Sequence, residues 1–220
     1  MNEKIQNAYK SSKNVYDDVL THKGFLSRLY NKIFWSDVDD NEIAEIILKY
    51  IPDTFKGKLL DVPVGTAIFT SDKYHILKGA KIICLDYSED MLNQAKERLS
   101  DLNNINFVRG DVACMPFNDS EFDIVLSMNG LHVFPNKTKA YKEISRVLKR
   151  DGLFIACFYI KEKSKISDWL VNNILAKKGW FNPPFENYED VLNSLKDDYV
   201  DININVKGSI VYFIAKKRNS

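Results

Sequence analysis

An α/β fold around a mostly parallel sheet is predicted for this chain by three observations. Five short apolar runs recur through its middle, with the continuous apolar character that strands need when both sheet faces are covered. A helix is read between the fourth and fifth of these runs, and a helix N-terminus after the first, which fits β-α units. The first run leads into a glycine turn, Leu60-Asp61-Val62-Pro63-Val64-Gly65-Thr66, and the second ends on a carboxylate, Ile82-Ile83-Cys84-Leu85-Asp86, about twenty residues past the turn.

That last spacing is the one used by Rossmann-like nucleoside sites, where the turn holds a polar ligand tail and the second carboxylate holds a ribose. A dinucleotide fingerprint in this register needs glycine at positions 63, 65 and 68, whereas the chain has Pro63, Gly65 and Ile68. Pro63 has no amide hydrogen for a pyrophosphate, and Ile68 crowds the strand-to-helix contact. The turn therefore disfavours a two-phosphate ligand and suits one with an amino acid end.

The remaining elements follow in order. Ile105-Asn106-Phe107-Val108-Arg109 reads as a third strand leading into a loop that carries Asp111. Phe122-Asp123-Ile124-Val125-Leu126-Ser127-Met128-Asn129 reads as a fourth, and residues 141–148 as a helix. Lys149-Arg150-Asp151-Gly152 reads as a turn before a fifth strand at residues 153–159. Ile166, Trp169, Leu170, Asn173 and Ile174 predict an amphipathic helix, and Trp180-Phe181-Asn182-Pro183-Pro184-Phe185 a stiff aromatic loop. The chain closes with a helix over residues 188–195 and a hairpin of residues 200–206 and 210–215, turned at Lys207-Gly208-Ser209. Residues 1–52 carry apolar positions at helical spacing, among them Phe25, Leu26, Leu29, Ile43 and Ile47, with no strand signal.

These elements and motifs resemble a known family, the class I S-adenosylmethionine-dependent methyltransferases, and within it the small-molecule branch of the ubiquinone and menaquinone biosynthesis C-methyltransferases. The resemblance runs motif by motif over residues 55–160. It implies a Rossmann-like, seven-stranded, mostly parallel sheet with an antiparallel C-terminal hairpin and an N-terminal helical cover. It also implies S-adenosyl-L-methionine as cofactor. Asp61, Pro63 and Gly65 lie in what is similar to the family's first motif, although Pro63 and Ala67 stand where glycines are common. By the same resemblance Asp86 accepts hydrogen bonds from both ribose hydroxyls, and Tyr87 flanks the adenine. Asp111 would accept from the adenine amino group, and the amide of Val112 would donate to a ring nitrogen. Met91, Asn129 and Tyr16 are further implied cofactor neighbours, Tyr16 from an arm that folds over cofactor and substrate. Read from the residues alone, Asp61 equally suits a loop-ordering role, accepting backbone amides.

The expected organisation is a single domain over residues 1–220: cover 1–52, cofactor core 55–160, substrate-loop insertion 161–187, and helix with hairpin 188–220. Its 220 residues, 45% hydrophobic, suffice for one α/β core. With 31 basic and 30 acidic residues the net charge is +1, so no general field grips a phosphate backbone and nucleic acid is not the expected partner. Neither a signal peptide nor an apolar run long enough to span a bilayer is expected, and Cys84, Cys114 and Cys157 lack metal-ligand spacing, which suits a reducing cytoplasm. No metal is expected.

His132 follows the fourth strand by a few residues, where strand ends face the ligand crevice, and is the candidate general base. In the family such a histidine often orders its loop instead. Asn182-Pro183-Pro184-Phe185 matches the tetrapeptide with which amino-group methyltransferases grip a planar nitrogen, but there it follows strand four. Here it follows strand five and is read as part of a substrate loop. The expected function is direct methyl transfer to a small, apolar or aromatic metabolite. Alternatives are a methyltransferase that modifies RNA or protein, and a non-catalytic module that only binds the nucleoside.

Overall fold

A computed structural model describes residues 40–219. Tyr16, Trp35 and the remainder of the expected cover before residue 40 lie outside the described residues. The elements are α1 (Asp40–Leu48), β1 (Lys58–Asp61), α2 (Ser71–Ile76), β2 (Lys81–Asp86), α3 (Glu89–Arg98), β3 (Ile105–Arg109), β4 (Phe122–Met128), α4 (Lys137–Val147), β5 (Leu148–Tyr159), α5 (Lys165–Leu170), α6 (Tyr188–Leu195), β6 (Tyr199–Lys207) and β7 (Ile210–Lys217). A π-helical turn, Val171–Leu175, continues α5.

Seven strands form one sheet in the order β3-β2-β1-β4-β5-β7-β6. Neighbours from β3 through β5 pair in parallel, and β7 pairs antiparallel with both β5 and β6. This is the Rossmann-like architecture expected from the sequence. Alternate residues of the central strands supply the two cores: Leu59, Ile82, Cys84, Leu126 and Ile155 on one face, Leu60, Ile83, Leu85, Val125 and Phe154 on the other. Helices cover both faces, which is why these strands read as unbroken apolar runs. Ile43 and Ile47 of α1 join the first core; Ile144 of α4 and Val191 of α6 join the second.

Two expectations needed correction. The turn at Lys149-Gly152 is a wide bulge inside β5: Phe122 pairs with Leu148, and the next pair is Ile124 with Leu153. Asp123 fastens it, accepting from the Lys149 ammonium at 2.8 Å and the Lys58 amide at 2.8 Å. The helix before it begins at Lys137, four residues early, because Asn136 caps it by accepting from the Lys139 amide at 3.0 Å. The second correction concerns α5. Of its expected apolar face, Ile166, Trp169 and Ile174 point to solvent and Leu170 packs only partly against the core, while Ser167, Val171 and Leu175 are the buried positions. Val171 and Leu175, four residues apart and so on one helix face, are the first and last residues of the π turn.

Candidate active site

The strand order reverses between β1 and β4, and in open α/β sheets ligands bind at such a point, beyond the carboxyl ends of the strands. A crevice lies there. Its walls include Asp61, Pro63, Gly65, Asp86, Tyr87, Met91, Val112 and Asn129, eight of the sequence-selected residues.

The floor is the turn after β1. Val62 donates its amide to the Leu126 carbonyl and Val64 to that of Leu85, each at about 3 Å, so the turn is stitched to the strands on either side. Gly65 has φ +57°, a left-handed conformation that favours glycine, and a Cβ there would meet nothing within 4 Å. Arg98 of α3 donates to the Thr66 carbonyl at 2.9 Å and holds the far side.

Two buried carboxylates face this turn. Asp86 accepts from the Gly65 amide at 2.9 Å through Oδ2 and from the Ser88 amide at 2.8 Å through Oδ1. A carboxylate offers about four lone-pair sites, so acceptor capacity remains for a ligand diol. Burial lifts its pKa to about 6, against the pull of the Ser88 and Gly65 amides. Asp61 accepts through Oδ2 from the Tyr74 hydroxyl at 2.6 Å and the Thr70 hydroxyl at 3.4 Å. Its Oδ1 is buried without a partner among the described residues, and burial lifts its pKa to about 7. Such an orphaned oxygen in a crevice wall calls for a donor from the ligand. Tyr74 and Thr70 were not picked out in the sequence, since nothing local to them signals a bond to the end of β1.

Beyond β3, Gly110 and Val112 line the crevice and Asp111 lies between them. Asp111 Oδ1 accepts from the Ala113 amide at 2.9 Å and closes its own loop. Beyond β4, Asn129 adopts φ +54°, and its amide donates to the Cys157 carbonyl at 2.7 Å. Val133, Phe134 and Pro135 then form an apolar wall.

His132 lies behind that wall. It is 5% exposed, stacks on Phe181 with ring centroids 4.1 Å apart, and accepts the Tyr159 amide on Nδ1 at 3.2 Å. Burial and the nearby Lys137 charge push its pKa down to about 3. The ring is thus neutral near pH 7.

The tetrapeptide after β5 comes back in space to the loop after β4. Asn182 donates its amide to the His132 carbonyl at 3.0 Å and its side-chain nitrogen to the Val133 carbonyl at 2.7 Å, and it lines the crevice. Lys137, unmarked in the sequence, clamps the same contact by donating to the Asn182 carbonyl at 2.7 Å and the Phe134 carbonyl at 3.2 Å. Burial lowers its pKa to about 8 and raises that of neighbouring Glu186 to about 7. Among the described residues no cluster of potential ligands could hold a metal ion.

Comparison with known proteins agrees with this geometry. Residues 60–156 match the family model of a methyltransferase domain. An uncharacterized chloroplastic methyltransferase of Arabidopsis thaliana is 31% identical over 180 residues, 77% of this chain and 49% of that protein. A demethylmenaquinone methyltransferase of Staphylococcus epidermidis is 40% identical over 136 residues, 59% of this chain and 55% of that protein. The chain thus spans about half the length of these relatives. Among solved structures, a methyltransferase of Thermotoga maritima described as a possible histamine N-methyltransferase superposes with TM-score 0.70 at 16% identity, covering 97% of this chain and 100% of that one. A geranyl diphosphate C-methyltransferase of Streptomyces coelicolor, solved with S-adenosyl-L-homocysteine, gives 0.67 at 14% identity, covering 82% of this chain and 79% of that one. These matches bear out the resemblance of the cofactor core to the class I S-adenosylmethionine-dependent methyltransferases and, within them, to the ubiquinone and menaquinone branch.

Proposed function

We propose that this protein transfers a methyl group from S-adenosylmethionine to a small, largely apolar or aromatic metabolite. One observation carries the reading: Asp61, Gly65 and Asp86 converge on a single crevice that apolar Met128, Val133, Phe134 and Pro135 also line. The quinone-pathway relatives and the geranyl diphosphate enzyme support an apolar acceptor.

When bound, the cofactor supplies a methyl group already activated on a positively charged sulfur. The chain's own part is to bind and align. Asp86 would accept from the ribose hydroxyls, and the orphaned Asp61 oxygen would take a donor from the amino acid end. Tyr87, Met91 and Val112 would enclose the base. Asn182 and the apolar wall would orient the acceptor and keep water out, and alignment of this kind contributes about 7–11 kcal/mol. We assign His132 to ordering the loops after β4 and β5 and not to proton transfer; its Nδ1 is already occupied by the Tyr159 amide. An acceptor that must lose a proton then does so to solvent or to its own substituents. Asp111 is assigned to shaping the loop that presents Gly110 and Val112. Among the described residues no helix is long and apolar enough to cross a membrane.

The test is incubation of the pure protein with methyl-labelled cofactor and a cell metabolite extract. Label is expected in a small apolar compound, at a rate reduced less than tenfold by His132→Asn, since no base is lost. Label found only in RNA or protein would overturn the acceptor assignment, and a loss approaching about 10⁴-fold in a folded His132→Asn variant would restore the base.

A further inference from the structure

We infer that the outward face of α5 and its π turn is a docking surface for an anionic lipid bilayer. Three large apolar side chains stand in solvent there: Ile166 at 63%, Trp169 at 59% and Ile174 at 37% exposure. Ile76, the other large apolar residue of this kind among the described residues, is isolated on α2. The three are not a failed core, because the same segment buries its other side through Val171 and Leu175. The π turn that ends on buried Leu175 leaves Ile174 exposed.

Charge chooses the partner. Exposed Lys163 and Lys165 precede the patch and exposed Lys177 and Lys178 follow it, in a chain whose net charge is only +1. The carboxylate within the helix, Asp168, is turned to internal work: it accepts from the Tyr159 hydroxyl at 2.5 Å and the Glu162 amide at 2.9 Å. An indole and two isoleucines bracketed by lysines make the pattern of a helix lying in a bilayer interface, apolar side chains in the acyl boundary and ammonium groups among anionic headgroups.

The placement also has a use. The segment runs directly into Gly179 and Asn182, which line the crevice. A docked protein would present that opening to apolar molecules held in the bilayer. This consequence rests on the proposed methyl transfer, while docking itself does not.

The experiment is flotation of the full chain with vesicles of equal parts phosphatidylglycerol and phosphatidylcholine, against vesicles of phosphatidylcholine alone. Binding to the anionic vesicles is expected to exceed that to neutral ones by at least about tenfold and to fall with added salt. The pair Ile166→Ser and Trp169→Ser should abolish it with the melting temperature unchanged. Trp169→Phe should keep binding but lose much of the fluorescence quenching by brominated lipid. Equal binding to both vesicles, no binding, or binding indifferent to the serine pair would overturn the inference. So would light scattering that shows a dimer broken by the same pair. Calorimetry with S-adenosylhomocysteine on the same samples separates this outcome from failure of the methyltransferase reading, since the serine pair should leave nucleoside affinity intact.

Discussion

Replacing Asp86 by alanine is expected to weaken S-adenosylhomocysteine binding by about 10- to 150-fold, the equivalent of roughly 1.5–3 kcal/mol for charge-assisted hydrogen bonds. The carboxylate is buried at the end of β2, and its two backbone donors fix both oxygens toward the crevice. A pH series separates this direct role from damage to the turn. In the ligand-free site Asp86 has a pKa of about 6, so it is increasingly protonated below that pH. Ribose hydroxyls need the ionised form as acceptor, and binding must therefore expel a proton at low pH. Affinity should rise with pH up to about 6 and then level, with Asp61, at about 7, extending the rise if it receives the ammonium. Asp86→Asn, which keeps shape but does not titrate, should weaken binding and remove the part of the slope centred near pH 6. Calorimetry showing wild-type affinity and slope in both variants would mean that the nucleoside does not use this carboxylate.

Gly130→Ala is expected to lower the melting temperature by about 4–8 °C, from an overpacking penalty of about 2 kcal/mol in a chain of this size. The added Cβ would lie 2.4 Å from Pro63 Cδ, 2.6 Å from Ser127 Oγ and 2.9 Å from Phe134 Cζ. The loop after β4 thus rests against the turn after β1 with no room between them. Relief requires Pro63 or Phe134 to move, and both are crevice residues. Nucleoside affinity should fall together with stability. A melting curve and affinity equal to wild type would show that this contact is looser than described.

The central strands were legible because each is buried on both faces and so reads as a plain apolar run. Asp86 and Gly65 were legible for a related reason: strand ends, turn and spacing are all local, and the sheet converts them into neighbours. What depended on distant partners was hidden. Whether Asp61 bonds to Tyr74 is decided by how α2 packs over β1, and periodicity carries no trace of it. His132 had the right position along the chain, yet the side to which its ring turns depends on Phe181 and the Tyr159 amide. Asn182 was read as part of a substrate loop because its tetrapeptide follows strand five, and the loop folds back to donate to the very carbonyls that follow the fourth strand. On α5 the apolar spacing suggested a buried face; Leu170 of that face packs partly against the core, whereas Ile166, Trp169 and Ile174 face solvent and the π turn buries Val171 and Leu175.

The central claim is that the crevice between the ends of β1, β2 and β4 takes one adenosyl group carrying a charged amino acid tail, and not a dinucleotide. Crystals grown with S-adenosylhomocysteine test it most directly. The expected map shows the ribose hydroxyls on Asp86 and the amino acid tail over the Gly65 turn toward Asp61. A crevice empty at saturating ligand, or one that instead captures nicotinamide dinucleotide with its phosphates on that turn, would contradict the account.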